Sequence, residues 1–540
     1  MGRFLIRLKH IFFQFVLTGI LNFTLLAQSI PEKELRAVWI TTAFNIDWPS
    51  SSNLSADEQK KEFINLLEAH QRNGINAIFV QVRPAAEVFY ESKYEPWSHW
   101  LTGLQGKAPV PYYDPLRFML DECHKRNIEF HAWINPFRAV SNIDRVKVVS
   151  DHITKQRPEW FITYGEEVRK LYFNPGIPEA RAYIVSMIMD IAGRYNVDGI
   201  HFDDYFYPTK EGGIDFPDNS SFRQYNPNSL SKADWRRENL NDFIMTLHDS
   251  IDQLNPQIKF GVGPSGVWRN KSSDPEGSNT RGLSSYDEQY ADVRKWLREG
   301  WIDYVAPQIY WTIGYKIADY KELVDWWSRN VYGKHLYIGH GTHRINTTND
   351  WKNPSEIPDQ IRLNRTFPEV KGSIFYSSSS LINNKNGISD SLRNNLFYAN
   401  AEIPEMNWKK ISQEDVSQNK PANNSTKYYK RLNRLPEPMA PVNFTATKVG
   451  KEILLKWEMD KSQQRFLTDT GSFYKVYRFK GTYTGYPAEE NLFLSTKKPF
   501  IMISKKGIFK KKYSFIVAAV NSQNSEGWPS SPIIIKMKEK

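Results

Sequence analysis

A chain of 540 residues with 40% hydrophobic and 24% charged residues is too long for one ordinary domain and too apolar for a disordered one. Its single cysteine, Cys123, excludes an internal disulfide and, in an apolar helical rhythm, reads as a buried small hydrophobe rather than a nucleophile. The net charge of +11 gathers at one end, since residues 441–540 carry 18 Lys and Arg against 8 Asp and Glu, and no nucleic-acid signature accompanies that charge.

In chain order, Arg3, Arg7 and Lys9 precede a mostly apolar run, 11–26, that Gln14 and Asn22 interrupt and Ala27 closes. That pattern predicts a signal peptide over 1–27 and export to the periplasm, the cell envelope or the medium; the run is too short and broken for a membrane span. No cysteine follows it to take a lipid anchor, and no later segment approaches membrane length. From 34 to 401, short apolar strands alternate with amphipathic helical stretches. Strands are predicted at 35–41, 75–83, 128–135, 197–203, 258–263, 302–310, 335–341 and 373–377, with helices at 58–72, 115–126, 178–195, 239–254, 286–299 and 319–330. Eight such repeats predict an α/β fold, a (β/α)8 TIM barrel; the rival, a doubly wound open sheet, lacks a glycine-rich loop after its first strand. The connections 84–115, 136–178 and 205–232 are long, and in a TIM barrel the loops after the strands build the active face.

Residues 402–439 shift to Asn, Lys, Gln, Ser and Pro, a linker or a wrapping segment. Beyond them, Ile453–Trp457, Tyr474–Arg478 and Tyr513–Asn521 alternate as short strands of a small all-β sandwich over 440–540. The opening Pro441, the strand Trp457, Tyr474-Lys475-Val476-Tyr477-Arg478 and the late Val520-Asn521 resemble a fibronectin type III domain. Its basic surface is either a solvated lysine face or a contact for an anionic envelope polymer.

Side chains alternate along a strand, so parity separates axis-facing from helix-facing residues. Ile200 and Phe202 face the helices, which turns His201 and Asp203 inward; the same count turns Gln81 and Arg83, Trp133 and Asn135, and Gln308 and Tyr310 inward. Polar groups converging on one end of a barrel mark a site, because barrels are ordinarily filled by bulky apolar side chains. Glycoside cleavage commonly uses two carboxyls, so Asp203 and Asp204 are the candidate catalytic pair, with Glu87, just past the second strand, as a third carboxyl. Arg83, Asn135, His201, Gln308, Tyr310, Trp311 and Trp133 are the candidate substrate contacts. No His-x-His pair stands on the first strand and no nucleophile elbow surrounds Ser373, so neither a metal, a cofactor nor a serine nucleophile is expected.

Leu35-Arg36-Ala37-Val38-Trp39-Ile40, Phe79-Val80-Gln81-Val82-Arg83-Pro84, Ala132-Trp133-Ile134-Asn135-Pro136, Asp198-Gly199-Ile200-His201-Phe202-Asp203-Asp204-Tyr205 and Ala306-Pro307-Gln308-Ile309-Tyr310-Trp311 together resemble the glycosyl hydrolase-like 10 family of bacterial envelope proteins. The resemblance implies a TIM-barrel hydrolase of polysaccharides, some members being linked to peptidoglycan glycan strands stripped of peptide. The chain departs from true family 10 xylanases, having no carboxyl in Tyr337-Ile338-Gly339-His340-Gly341, and from the chitinase signature, having Tyr205 where an acidic Glu would stand. Two functions are therefore expected to compete: a glycoside hydrolase using Asp203 and Asp204, and a non-catalytic barrel in which Trp311, Trp133 and Tyr310 grip sugar without cutting it.

Overall fold

The computed structural model describes residues 31–409, 441–459, 471–481, 489–504, 512–522, 526–530 and 532–535; the predicted signal peptide and most of the predicted linker lie outside the described residues. Eight parallel strands close on themselves. They are β1 (Leu35–Ile40), β2 (Ala77–Arg83), β3 (Glu129–Ile134), β4 (Gly199–Phe202), β5 (Lys259–Val262), β6 in two pieces (Tyr304–Val305 and Gln308–Ile309), β7 (His335–His340) and β8 (Val370–Phe375). Each pairs with its neighbours in sequence, and β8 returns to pair with β1, Leu35 opposite Gly372. The chain is a TIM barrel, as its repeats predict. The break in β6 falls at Ala306-Pro307, where the proline has no N–H for the ladder.

The intervening helices start where the sequence places caps. In α1 (Ala56–Arg72), Ser55 and Glu58 form a reciprocal capping box; α2 (Pro115–His124) and α3 (Pro178–Arg194) open on a proline at their first turn. A fourth helix, α4 (Lys232–Leu254), begins seven residues earlier than its apolar rhythm announces, because the Ser231 hydroxyl caps the backbone of Asp234. The predicted helix 286–299 is two short ones, Ser285–Glu288 and Val293–Arg298, and α5 (Glu356–Asn364), too polar for its period to show, follows β7.

Burial divides the strands as parity requires. Val38, Ile78, Val80, Ile200, Phe202 and Phe260 pack outward into the helix layer, while Ala37, Trp39, Phe79, Trp133, Tyr304, Tyr337 and Ile374 form a separate cluster within the barrel. The large inner rings fit because glycines face them: a Cβ on Gly199 would stand 2.3 Å from the His131 ring, and one on Gly261 would stand 2.4 Å from that of Tyr304. Below the barrel, Met406 plugs the same cluster, and Lys409 and Trp408 both reach Asp303, so the first described residues of the predicted linker wrap the barrel base.

The connection after β3 contains a three-stranded antiparallel sheet of Arg138–Val140, Lys170–Phe173 and Phe161–Tyr164. The C-terminal region is all-β. A sheet of Val442–Val449, Glu452–Glu458 and Phe500–Ser504 shares one core with a second sheet, built on Phe473–Lys480 and Tyr513–Val520, in which Leu455 and Trp457 meet Tyr474, Val476 and Val517. Among the described residues no helix is long and apolar enough to cross a membrane.

Candidate active site

The strand β4 stops at Phe202, so Asp203 is the first residue past it, on the inner parity and buried. Oδ2 of Asp203 accepts the indole N–H of Trp133 at 3.0 Å, and Oδ1 accepts the backbone N–H of Tyr205 at 3.3 Å. Asp204, half-buried, is clamped from the other side: the Gln289 amide donates to its backbone carbonyl at 2.9 Å and to Oδ2 at 3.1 Å, and the Gln308 amide also bonds its side chain. Arg138 lies over the Tyr205 ring at 4.0 Å and adds its charge to both carboxyls.

These contacts set the proton. Burial, and then the adjacent Asp204 charge, push Asp203 up to about 8; Arg138, the Tyr205 N–H and Trp133 only partly oppose them. Burial raises Asp204 as well, against the amides of Gln289 and Gln308. Two interacting carboxyls titrate as a pair, and of the two it is Asp203 that burial and its neighbour's charge hold up near 8. A buried carboxylic acid beside a carboxylate, at the carboxyl end of a barrel strand, can donate a proton to a substrate and stabilise positive charge.

Beneath the pair runs a directed hydrogen-bond chain. The Trp39 indole only donates, so Nε2 of His201 at 3.1 Å accepts, and the His201 proton sits on Nδ1, donated to the Tyr304 hydroxyl at 3.2 Å. That hydroxyl donates onward to Nδ1 of His131 at 3.1 Å, and Nε2 of His131 faces Glu129 at 3.3 Å. Burial, then the neighbouring His131, drive His201 well below the usual imidazole range, so it is neutral.

The structure redistributes the sequence-predicted residues. His201 is fully buried with both ring nitrogens engaged within the protein, which makes it part of the floor of the site. Trp133 is buried too and its indole N–H is committed to Asp203, a brace rather than a sugar platform. Arg83 leaves the axis because the register slips between Gln81 and Arg83, which sets Arg83 opposite the outward-facing Ile134. There, wholly buried, it pairs through two nitrogens with Glu95 (2.6 and 2.5 Å) and donates to the carbonyls of Asn135 and Pro136. Glu87 is also apart from the pair: Ser98, the His99 ring and backbone, and Gln105 all donate to it, and these donors outweigh its burial and hold it below the usual carboxylate range. An ionised, donor-saturated Glu87 is no acid.

Asn135 stays at the site, one residue past β3 beside Asp203 in the sheet order; it is buried, and neither polar atom of its amide has a partner within the protein. Gln308, Tyr310 and Trp311 are half-buried. Tyr310 stacks on Tyr376 with ring centroids 6.1 Å apart, and Trp311 lies against Gly266, where a Cβ would crowd its ring. The sequence reading missed Arg138, Gln289 and Tyr376. Arg138 sits on the inserted sheet and Gln289 in a loop after β5, where barrel parity says nothing; Tyr376 directly follows β8 and is reachable by the same parity count.

A closed parallel barrel with two adjacent carboxyls at its carboxyl-end mouth defines a TIM-barrel protein. The chain belongs to the glycosyl hydrolase-like 10 family, whose model matches residues 34–355. It is 47% identical over 398 residues to the glycosyl hydrolase YngK of Bacillus subtilis (strain 168), covering 72% of this chain and 77% of that one. To the glycosyl hydrolase DigH of Escherichia coli (strain K12) it is 39% identical over 369 residues, covering 64% and 83%. Among solved structures, the glycoside hydrolase domain of PgaB (BpsB) from Bordetella bronchiseptica covers 67% of this chain and 98% of its own at 15% identity, with a TM-score of 0.43.

Proposed function

We propose that this chain is an exported glycoside hydrolase that cleaves O-glycosidic bonds of a polysaccharide, with peptide-free peptidoglycan glycan strands as its substrate. The observation that carries the reading is the Asp203 carboxyl, buried past the end of β4 under the Trp133 indole and pushed up to about 8 by burial and by the adjacent Asp204. In the proposed reaction Asp203 gives its proton to the leaving glycosidic oxygen, and Asp204 faces the positive charge that grows at the anomeric carbon. Water supplies hydroxide to that carbon, and its second proton restores Asp203. Asn135, Gln308, Tyr310 and Trp311 bind the sugars, and the family membership supports the substrate class.

A second reading, a barrel that holds glycan without cutting it, draws on one observation: Glu87 and Glu95, the other buried carboxyls past β2, are fully engaged and leave no second acid across the mouth. Turnover separates the two. Reducing ends should appear when the protein is incubated with peptide-free glycan strands and should vanish with Asp203→Asn. Glycan retained by the protein without any new reducing ends would favour the binding barrel.

A further inference from the structure

We infer that Phe44 and Trp100 form a distal subsite on the rim of the barrel mouth, stacking on a sugar of the same glycan strand more than one unit from the bond cut. This rests on the hydrolase reading above. Phe44 lies in the connection after β1 and Trp100 in the connection after β2, so both stand on the face that carries Asp203. The Phe44 ring is 59% exposed and its centroid lies 4.8 Å from that of Trp100, at an interplanar angle of 50°. Its backbone has φ 58° and ψ 15°, the left-handed region that bulky side chains avoid, and Asn45 follows at φ 53°. An apolar ring held in water on a strained backbone contributes nothing to the core; such strain persists only where surrounding contacts impose it.

Those contacts are present. The Thr42 hydroxyl donates to the Gln81 carbonyl at 2.7 Å, and the Ala43 N–H to Oε1 of Gln81 at 3.0 Å, which ties the loop to β2. The Asn45 amide then donates to the carbonyls of Pro49 (2.7 Å) and Trp100 (2.8 Å), joining the two loops. On the Trp100 side, Glu87 gathers Ser98, His99 and Gln105 around its carboxylate, and the His99 ring lies 4.1 Å from that of Trp100. Glu87 therefore organises the segment that carries the platform.

The chemistry selects the ligand. An exposed Phe44 ring backed by the half-buried Trp100 suits the apolar C–H face of a neutral sugar ring. In the closed strand order β2 is two strands from β4, a separation on the order of 10 Å. A single sugar bound at Asp203 does not reach that far; a strand crossing the mouth does.

The test measures kcat/KM on size-fractionated, peptide-free peptidoglycan strands for the wild type, Phe44→Gly, which leaves the left-handed turn available, and Trp100→Ala. Tyr398→Ser, which removes a 70% exposed ring just after the helical turn Leu392–Leu396, is the control. The expected loss in Phe44→Gly and Trp100→Ala grows with strand length, reaching about tenfold on the longest fraction. A loss equal at all lengths, no loss at all, or a change in sedimentation of Phe44→Gly that reveals a contact between copies would overturn the subsite. Should the wild type cut no fraction, the hydrolase reading falls separately. Affinity electrophoresis on the same strands then decides the platform: weaker retardation of the two variants sustains it, and wild-type retardation overturns it.

Discussion

Two carboxyls on one barrel rim, Asp203 past β4 and Glu87 past β2, are buried to similar depth and shift in opposite directions, Asp203 up and Glu87 down. Around Glu87 four groups donate, and Glu95 accepts from two nitrogens of a guanidinium; around Asp203 stand one indole, one backbone N–H and a second carboxyl. Burial alone would protonate all of them. At Glu87 the donors outweigh burial; at Asp203, and at Glu95 despite its guanidinium, burial prevails.

The sharpest break of that contrast is kinetic. Asp203→Asn should cut the rate of glycan cleavage on the order of 100-fold or more, the loss expected when a general acid is removed. Glu87→Gln, altering a carboxyl that already has no proton to give, should cost under about tenfold in kcat on the same substrate. Equal losses in the two variants would erase the distinction between acid and scaffold.

Stability should show the reverse order. Arg83→Met leaves Glu95 buried without its cation, which costs about 3–5 kcal/mol in urea unfolding. Asp203→Asn keeps volume and most hydrogen bonds and should leave the fold at least as stable at pH 8 as the wild type. A soluble Arg83→Met protein with a wild-type urea midpoint would show that the pair contributes nothing.

The pH dependence has opposite sign at the two places. Asp203 binds its proton more tightly folded (about 8) than unfolded (near 3.8), so its stabilisation is complete below about 4 and is lost as pH rises toward 8. Glu87 is depressed in the fold, burial being outweighed by His99, Gln105 and Ser98, so its stabilisation is present above the unfolded carboxyl range and lost as pH falls through it. Melting temperatures of Asp203→Asn should therefore flatten between pH 4 and 8, and those of Glu87→Gln should flatten on the acid side. Parallel curves for both variants and the wild type would contradict both assignments.

How far this contrast was legible in the sequence depends on backbone regularity. Asp203, Asn135 and the inner rings follow from strand parity, and all eight strands lie where apolar alternation puts them. Arg83 does not, because a one-residue slip in register leaves no mark in the composition of Val80-Gln81-Val82-Arg83. Glu87 stands on the correct rim, but the donors that settle its charge come from residues 98–105, a loop without period. Arg138 rides on an antiparallel insertion that the barrel pattern does not foresee. The proton balance of the site is a property of loops, and loops are where sequence periodicity ends.

The smallest expected effect isolates the donor count itself. Gln289 touches neither Asp203 nor the barrel axis, yet its amide donates to the carbonyl and to Oδ2 of Asp204. Gln289→Leu removes one donor from Asp204 and leaves Asp203 intact. Asp204 then competes better for the shared proton, so a larger fraction of the pair carries it on the wrong carboxyl. One net hydrogen bond of about 1 kcal/mol corresponds to a change of about fivefold in the ratio of the two protonated forms, which, while the proton still favours Asp203, should appear as a fall in kcat of under about twofold. KM should be unchanged, because the sugar contacts are untouched, and Gln289→Glu, bringing a third negative charge to the pair, should not restore the rate. A Gln289→Leu enzyme with wild-type kcat would mean that donors on Asp204 do not place the proton, and the comparison between the two rims would then rest on Arg138 and the neighbouring charges alone.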